Sequence, residues 1–339
     1  MEMRREAPAA LTERNPRILV AVVGPTASGK SDLALDLAES LGGEVVSFDA
    51  LQVYRGLDIG TAKVPPSERR GIPHHLIDEV EPDEEFSAAA FTRRAVPAIE
   101  GIVGRGRLPI LVGGTGLYLR ALRSGLFEGP GRFPGLRDRL GAIVDRRGVR
   151  ALHRMLRRWD PDLAGRIHEN DRARLVRGIE VFLASGRRMS ELMSTRRRPL
   201  EGFQDILIGL RPDREVLKVR VEARVSAMFA RGLVEEVRRL RLAHGDGIPA
   251  FKAIGYREVL RHLDGEIDVD GAGRLTLLAT SQYAKRQMTW FRREPEVHWF
   301  EGCGDDAEVR ARVLDYIRRA IPETGERQNS ERSHAETTP

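Results

Sequence analysis

Cysteine is almost absent: the 339-residue chain has one, Cys303, which excludes an internal disulfide and a Cys-based zinc cluster. Long apolar runs are missing too. The longest, Ile18 to Val23, is six residues, against the ~20 that a membrane-spanning helix needs. The opening stretch Met1-Glu2-Met3-Arg4-Arg5-Glu6 leads into no apolar segment, so no secretory signal is expected. What remains is 41% hydrophobic and 31% charged residues, ordinary for a soluble globular protein. The length suffices for one large or two modest domains with a proper core. A soluble, cytoplasmic, monomeric protein with no membrane association is expected.

Lysine is locally absent as well. From Arg132 to Arg198 there are 18 arginines, no lysine and 8 acidic residues, a net of +10 in a chain whose total is +6. The remainder therefore sums to 6 − 10 = −4. A planar guanidinium grips phosphates bidentately and stacks on bases, so the segment fits a nucleic-acid footprint. A solvated helical face in an arginine-preferring genome would give the same count.

Residues 1–16 and 323–339 are polar and aperiodic and are expected not to fold. Between them, β-branched runs alternate with helical spacing, which predicts a parallel sheet covered by helices on both faces. Expected strands are Arg17 to Val23, Glu44 to Phe48, His75 to Ile77, Leu108 to Val112, Asp205 to Leu210 and Val297 to Phe300. Expected helices are Ser31 to Leu41, Ser87 to Val103 with a kink at Pro97, and a long amphipathic stretch from Arg214 to Leu242. The alternation fails between Phe127 and Pro199, where Val149, Leu152, Leu156 and Trp159 keep helical spacing. The fold class predicted is α/β: a P-loop-containing parallel sheet flanked by helices, with an inserted arginine-rich helical domain. Its parts are core residues 17–126, the insertion 127–200, and core residues 201–322.

Gly24-Pro25-Thr26-Ala27-Ser28-Gly29-Lys30-Ser31 fits G-x-x-x-x-G-K-[ST] directly after a strand and before a helix, the context that confirms a P-loop. Its backbone N–H groups and the helix N-terminus cradle anionic oxygens, Lys30 neutralises a terminal phosphate, and Ser31 can ligate Mg²⁺. The loop predicts polyphosphate or nucleotide binding without specifying ATP. The strand Leu108 to Val112 ends in Gly113-Gly114-Thr115-Gly116, with a hydroxyl where P-loop ATPases usually carry an acid. The second strand delivers Asp49 instead. A carboxylate and a hydroxyl would then face a bound diphosphate at the strand ends, with Asp49 as general base or as an outer partner of magnesium. His74, His75, His153 and His168 lack a convincing ligand spacing and read as structural.

These residues carry a resemblance. With the P-loop stand Asp49 to Lys63, Gly71-Ile72-Pro73-His74-His75-Leu76-Ile77-Asp78, Gly113-Gly114-Thr115-Gly116-Leu117-Tyr118, Ile167-His168-Glu169-Asn170-Asp171 with Arg174, Ala253-Ile254-Gly255-Tyr256-Arg257, and Tyr283-Ala284-Lys285-Arg286-Gln287 with Thr289-Trp290-Phe291-Arg292. In this order the set resembles the tRNA dimethylallyltransferases from about Ile18 to Arg293. The resemblance implies transfer of a dimethylallyl group from dimethylallyl diphosphate, with Mg²⁺, to N6 of the adenosine 3′-adjacent to the anticodon. It implies Asp49 as base, Thr115 as its hydrogen-bond partner and Arg224 as a diphosphate arginine. It also implies contact of the tRNA anticodon arm with Asp49, Ala50, Leu51, Gln52 and Thr115, with Arg137, Arg174 and Arg177, and with Lys252, Gly255, Tyr256 and Arg257. For Tyr256 and Trp290, core packing is the competing expectation.

Two other readings stay open on the residues alone. A P-loop small-molecule kinase would use the same loop for ATP and the arginine-rich insertion as a lid. A non-catalytic RNA-binding regulator would carry a relic P-loop, although Lys30, Ser31, Asp49 and Thr115 are all intact.

Overall fold

The computed structural model describes residues 17–127, 129–195 and 198–321. The tails expected to be unfolded, 1–16 and 323–339, lie outside the described residues. In chain order the elements are β1 (Arg17–Val23), α1 (Lys30–Leu41), β2 (Gly43–Ser47), β3 (His74–His75), α2 (Ala88–Gly104), β4 (Leu108–Val112) and α3 (Gly116–Ser124). Then come α4 (Pro134–Arg147), α5 (Val149–Trp159), α6 (Pro161–Ala164), α7 (Arg172–Ser185) and α8 (Met189–Ser194). The chain continues with β5 (Phe203–Arg211), α9 (Arg214–Ala230), α10 (Leu233–His244), α11 (Tyr256–Leu263), α12 (Val269–Phe291), β6 (Val297–Glu301) and α13 (Ala307–Ala320).

The six strands form one sheet in the order β3-β2-β4-β1-β5-β6, every pair parallel. β1 is therefore central, and its continuous apolar run is what a strand buried on both faces requires. Val20 and Val22 of β1, Ile110 of β4 and Ile208 of β5 pack with Leu33 and Leu37 of α1 and with Val313 and Ile317 of α13. A second cluster joins Met228 of α9, Leu233, Val237 and Leu240 of α10, and Tyr256 and Val259 of α11 to Val53, Tyr54 and Leu57 of the loop after β2. That loop carries the Asp49-to-Lys63 motif, so its shape is set by helices far away in sequence. No helix among the described residues is long and apolar enough to cross a membrane.

Two expectations shift. β3 is His74–His75 rather than His75 to Ile77, because Leu76 takes φ +62 and leaves the strand. The stretch expected as one helix from Arg214 to Leu242 is two, since Gly232 at φ +95 stops α9 and restarts the chain as α10. Pro97 lies inside α2 on its exposed side, and the helix runs on to Gly104.

Leu119–Glu201 forms a compact unit of its own; the rest of the chain forms the other. The smaller unit begins within α3, before residue 127 where the insertion was expected to start. Its core is Leu140, Leu152, Leu156, Leu163, Leu175 and Ile179. One carboxylate organises its charged side: Glu180 of α7, with no exposure, accepts two bonds from Arg137 (2.8 and 2.8 Å), one from Arg177 (2.8 Å) and one from the Phe133 N–H (2.8 Å). Burial pushes its pKa up, but the Arg137, Phe133 and Arg177 bonds win and hold it down to about 2. A carboxyl depressed from 4.5 contributes stability that is fully present above that value and is lost as pH falls toward 2. Glu180→Gln exchanges charge-assisted bonds for neutral ones about half as strong. It should cost the smaller unit ~1–2 kcal/mol near neutrality and remove the acid-side dependence, which urea melts at pH 7 and pH 3 would show.

Candidate active site

The P-loop bends away from β1 at Gly24 and enters α1 through Gly29 at φ +78. A Cβ at Gly29 would meet the Asp305 Oδ1 at 2.7 Å, so only glycine fits beneath the loop after β6. That loop and α9 clasp the P-loop from outside. The Gly304 N–H donates to the Ser28 carbonyl (2.8 Å), and Arg220 Nε donates to the Ala27 carbonyl (2.8 Å) while its guanidinium pairs with Asp305 (2.9 Å). Ala27 itself sits at φ +64, a left-handed position held by these contacts.

Inside the loop, two cations lie close together. Lys30 Nζ donates to the Pro25 carbonyl (2.6 Å), and Arg224 of α9 donates to the Thr61 carbonyl (3.2 Å). Burial, then the Arg224 charge, lowers the Lys30 amine to about 7 against the opposing pull of Asp49. Burial lowers Arg224 as well, opposed by Asp49 and Tyr283. Neither forms an ion pair within 4 Å among the described residues. The Ser28 hydroxyl is buried without a hydrogen-bond partner. Enclosed positive charge and unused donors mark a place for an anion.

Asp49 follows β2 and is half-buried. Its Oδ1 accepts the Leu51 N–H (2.9 Å), which fixes the carboxylate in a local turn and leaves the second oxygen for a substrate. Thr115, after β4, accepts the Ala50 N–H (3.0 Å), so the hydroxyl and the carboxylate are tied by one bond between neighbouring loops. A Cβ at Gly113 would fall 2.8 Å from the Phe48 carbonyl carbon; the two strand ends approach that closely. Gln52 accepts from the Ser47 hydroxyl (3.1 Å) and reaches the Thr61 carbonyl (3.4 Å). Ala50 and Leu51 lie half-buried beside them.

Other expected residues are placed differently. Tyr256 is fully buried, and its hydroxyl donates to Glu236 (2.6 Å), so no ring face is open to stack on a base. Its service is indirect: Glu236 also accepts the N–H groups of Asp58, Ile59 and Gly60 (3.1, 2.8 and 3.2 Å), shaping the turn that ends at Thr61, the carbonyl on which Arg224 rests. Lys252 is exposed; Gly255 is buried at φ +91, its N–H bonded to Glu258 (2.8 Å); exposed Arg257 also bonds Glu258. In the smaller unit, Arg137 and Arg177 are engaged by Glu180, and Arg177 also donates to the Pro130 and Gly131 carbonyls (2.7 and 2.9 Å). Arg174 is the accessible one, its side chain 59% exposed and 3.5 Å from Asp171.

The four histidines are accounted for by local bonds: His74 with the Ile72 carbonyl, His75 with Glu44, His153 with the Ala164 carbonyl, and His168 accepting the Asn170 N–H. No group of three or more His, Cys, Asp or Glu among the described residues could hold a metal. The single hydroxyl of Ser31 at the start of α1 fits Mg²⁺ of the kind held chiefly by water and phosphate oxygens rather than by a protein cage.

Three residues that sequence reasoning left without a role join the site: Arg220, Tyr283 and Gln287. Tyr283 lies beside Gly114, and burial, then the Asp49 charge, pushes its hydroxyl above the usual phenol range. The signal was present in the spacing, since positions 283 and 287 share one face of a helix.

The profile of the IPP transferase family matches residues 52–294. A tRNA dimethylallyltransferase of Solibacter usitatus is 51% identical over 304 residues, 89% of this chain and 99% of the relative. That of Geobacter metallireducens is 48% identical over 307 residues, 90% of this chain and 99% of the relative. The crystal structure of a tRNA isopentenylpyrophosphate transferase from Bacillus halodurans superposes with a TM-score of 0.67 at 39% identity, covering 90% of this chain and 97% of that one. A eukaryotic dimethylallyltransferase acting on tRNA superposes with a TM-score of 0.75 at 28% identity, covering 92% and 82%. With a parallel P-loop sheet, an acid after β2 and a hydroxyl after β4, the chain belongs to the IPP transferase family.

Proposed function

We propose that this enzyme transfers the dimethylallyl group of dimethylallyl diphosphate to N6 of the adenosine 3′-adjacent to the anticodon of tRNA. The observation that carries the reading is the pairing within one crevice of two basic groups without an ion-pair partner among the described residues, Lys30 and Arg224, with Asp49 and Thr115, whose loops are joined by the Ala50–Thr115 bond. The cations and the P-loop N–H groups hold the diphosphate and absorb the charge that develops as the C1–O bond breaks. The adenine amine attacks C1; Asp49 takes its proton, because the amine's lone pair is delocalised into the ring and the group is otherwise a poor nucleophile. Thr115 orients the base through the Ala50 N–H. Ser31 would hold Mg²⁺ together with diphosphate oxygens, and the ion would neutralise leaving-group charge. All these residues come from one chain, so a monomer can carry the complete site.

A stacked anticodon base reaches such a crevice only when flipped out, at a cost of a few kcal/mol. Affinity for the arm must come from elsewhere, and the arginine-rich Leu119–Glu201 unit supplies it on this reading. Arg174 is its cleanest probe, since Arg137 and Arg177 also hold the unit together. Arg174→Ala should flatten the dependence of anticodon-arm binding on log salt by about one phosphate equivalent, roughly 0.7 in slope, while donor binding is unchanged. An unaltered slope would place the RNA contact on other residues. A kinase reading is disfavoured by β4, which ends at Val112 and runs into Gly113-Gly114-Thr115-Gly116 without an acid.

A further inference from the structure

Gln287 touches both halves of the crevice. It is 5% exposed, projects from the last turns of α12, and uses both ends of its amide. Its Oε1 accepts the Thr26 N–H of the P-loop (2.8 Å), and its Nε2 donates to the Gly114 carbonyl (3.1 Å) in the loop that carries Thr115. The hydroxyl of Tyr283, one turn earlier, lies 3.7 Å from where a Cβ of Gly114 would stand. Any side chain at Gly114 would collide with the Gln287 amide, so that glycine is required by this contact. The P-loop and the Gly113–Gly116 loop follow neighbouring strands, β1 and β4, whose pairing ends at Val22 and Val112. Beyond those residues the sheet no longer fixes the spacing of the loops, and the Gln287 amide bridges them.

We infer that Gln287 is a positioning residue that sets the register between the diphosphate cradle and the Asp49–Thr115 pair, through simultaneous bonds to Thr26 and Gly114. The inference rests on the transferase reading above, in which the electrophilic carbon hangs from the P-loop and the nucleophile meets Asp49, whose loop is tied to the Gly113–Gly116 loop by the Ala50–Thr115 bond. An in-line displacement depends steeply on that register: a misplacement of about 1 Å can cost ~10²-fold in rate even when both partners stay bound. Neither half-site needs Gln287 to bind its own ligand, since the remaining P-loop N–H groups, Lys30 and Arg224 hold the diphosphate. Asp49 and Thr115 keep their bonds to Leu51 and Ala50. The signature of a register-setting residue is therefore a loss in kcat with substrate affinities preserved.

Gln287→Met keeps the length and apolar stem but removes both bonds. Under saturating dimethylallyl diphosphate and tRNA, kcat should fall ~10²-fold, with the dissociation constants of the donor and of the tRNA each within about threefold of the parent's. Gln287→Glu is the second variant, for the case that the methionine chain folds poorly. It preserves size and the acceptor for Thr26 but, as a carboxylate, cannot donate to Gly114, and kcat should fall at least about tenfold. A kcat within threefold of the parent in a folded variant would overturn the inference. So would a loss confined to donor affinity, which would make the amide part of the diphosphate cradle alone. A parent enzyme that transfers nothing to tRNA would instead refute the transferase reading.

Discussion

Asp49→Ala should lower kcat for prenyl transfer by about 10²- to 10⁴-fold, the range expected when a general base is removed. Binding of either substrate should stay close to that of the parent. The local turn explains why affinity survives: the carboxylate's structural bond is the single one to the Leu51 N–H, at a half-buried position that an alanine tolerates. Single-turnover rates with prebound tRNA and donor isolate the chemical step. If the variant instead lost donor affinity while its single-turnover rate held, Asp49 would be acting on the metal and diphosphate rather than on the amine.

Lys30→Ala should show the second large effect. A charge-assisted bond to an enclosed phosphate contributes ~1.5–3 kcal/mol to binding. Because charge grows on the diphosphate in the transition state, the loss in kcat/KM should reach about 10²- to 10³-fold. The amine also predicts a pH dependence. In the empty site it sits at about 7, held down by burial and by Arg224. A bound diphosphate favours its charged form, so binding takes up a proton wherever the free amine is neutral. Donor affinity is then fully expressed below pH 7 and falls as pH rises above it, approaching about tenfold per pH unit, one proton per donor. Thermal stabilisation by dimethylallyl diphosphate between pH 6.5 and 9 measures this directly, and in Lys30→Ala the dependence attributable to the amine should vanish. A parent whose donor affinity ignored pH over that range would mean that Lys30 stays charged in the empty site.

Much of the sheet was legible because buried parallel strands announce themselves: β1 and β4 are short apolar runs bounded by turns, and that composition locates them. β3 was misplaced by a residue because a two-residue strand has no period to read, and its limit is set by the left-handed Leu76. The split of the 214–242 stretch turned on Gly232, a glycine whose positive φ stops α9 where the amphipathic spacing would carry on. In the crevice, Lys30, Asp49, Thr115 and Arg224 were named from motif and resemblance, and the fold brings them into mutual electrostatic and hydrogen-bond contact. What the sequence could not reveal was which motif residues turn inward. Tyr256 sits beside exposed Arg257, yet the tyrosine is consumed by Glu236 and the turn at Gly60. Arg137 and Arg177 look like their neighbouring arginines until Glu180, buried with no exposure, shows what they neutralise. Gln287 is a neutral amide in a charged stretch, and its importance lies in bonds to two loops more than 170 positions away.

The most direct test of the central claim is mass analysis of tRNA incubated with the enzyme, Mg²⁺ and dimethylallyl diphosphate. Nuclease fragments would then be compared for the parent and for Asp49→Ala. The account predicts that the parent adds one dimethylallyl group to a single anticodon-loop fragment, on the adenosine 3′ to the anticodon, with one diphosphate released per group transferred and nearly none in the variant. Unmodified tRNA under these conditions, together with transfer of phosphate from ATP to a small molecule, would contradict it.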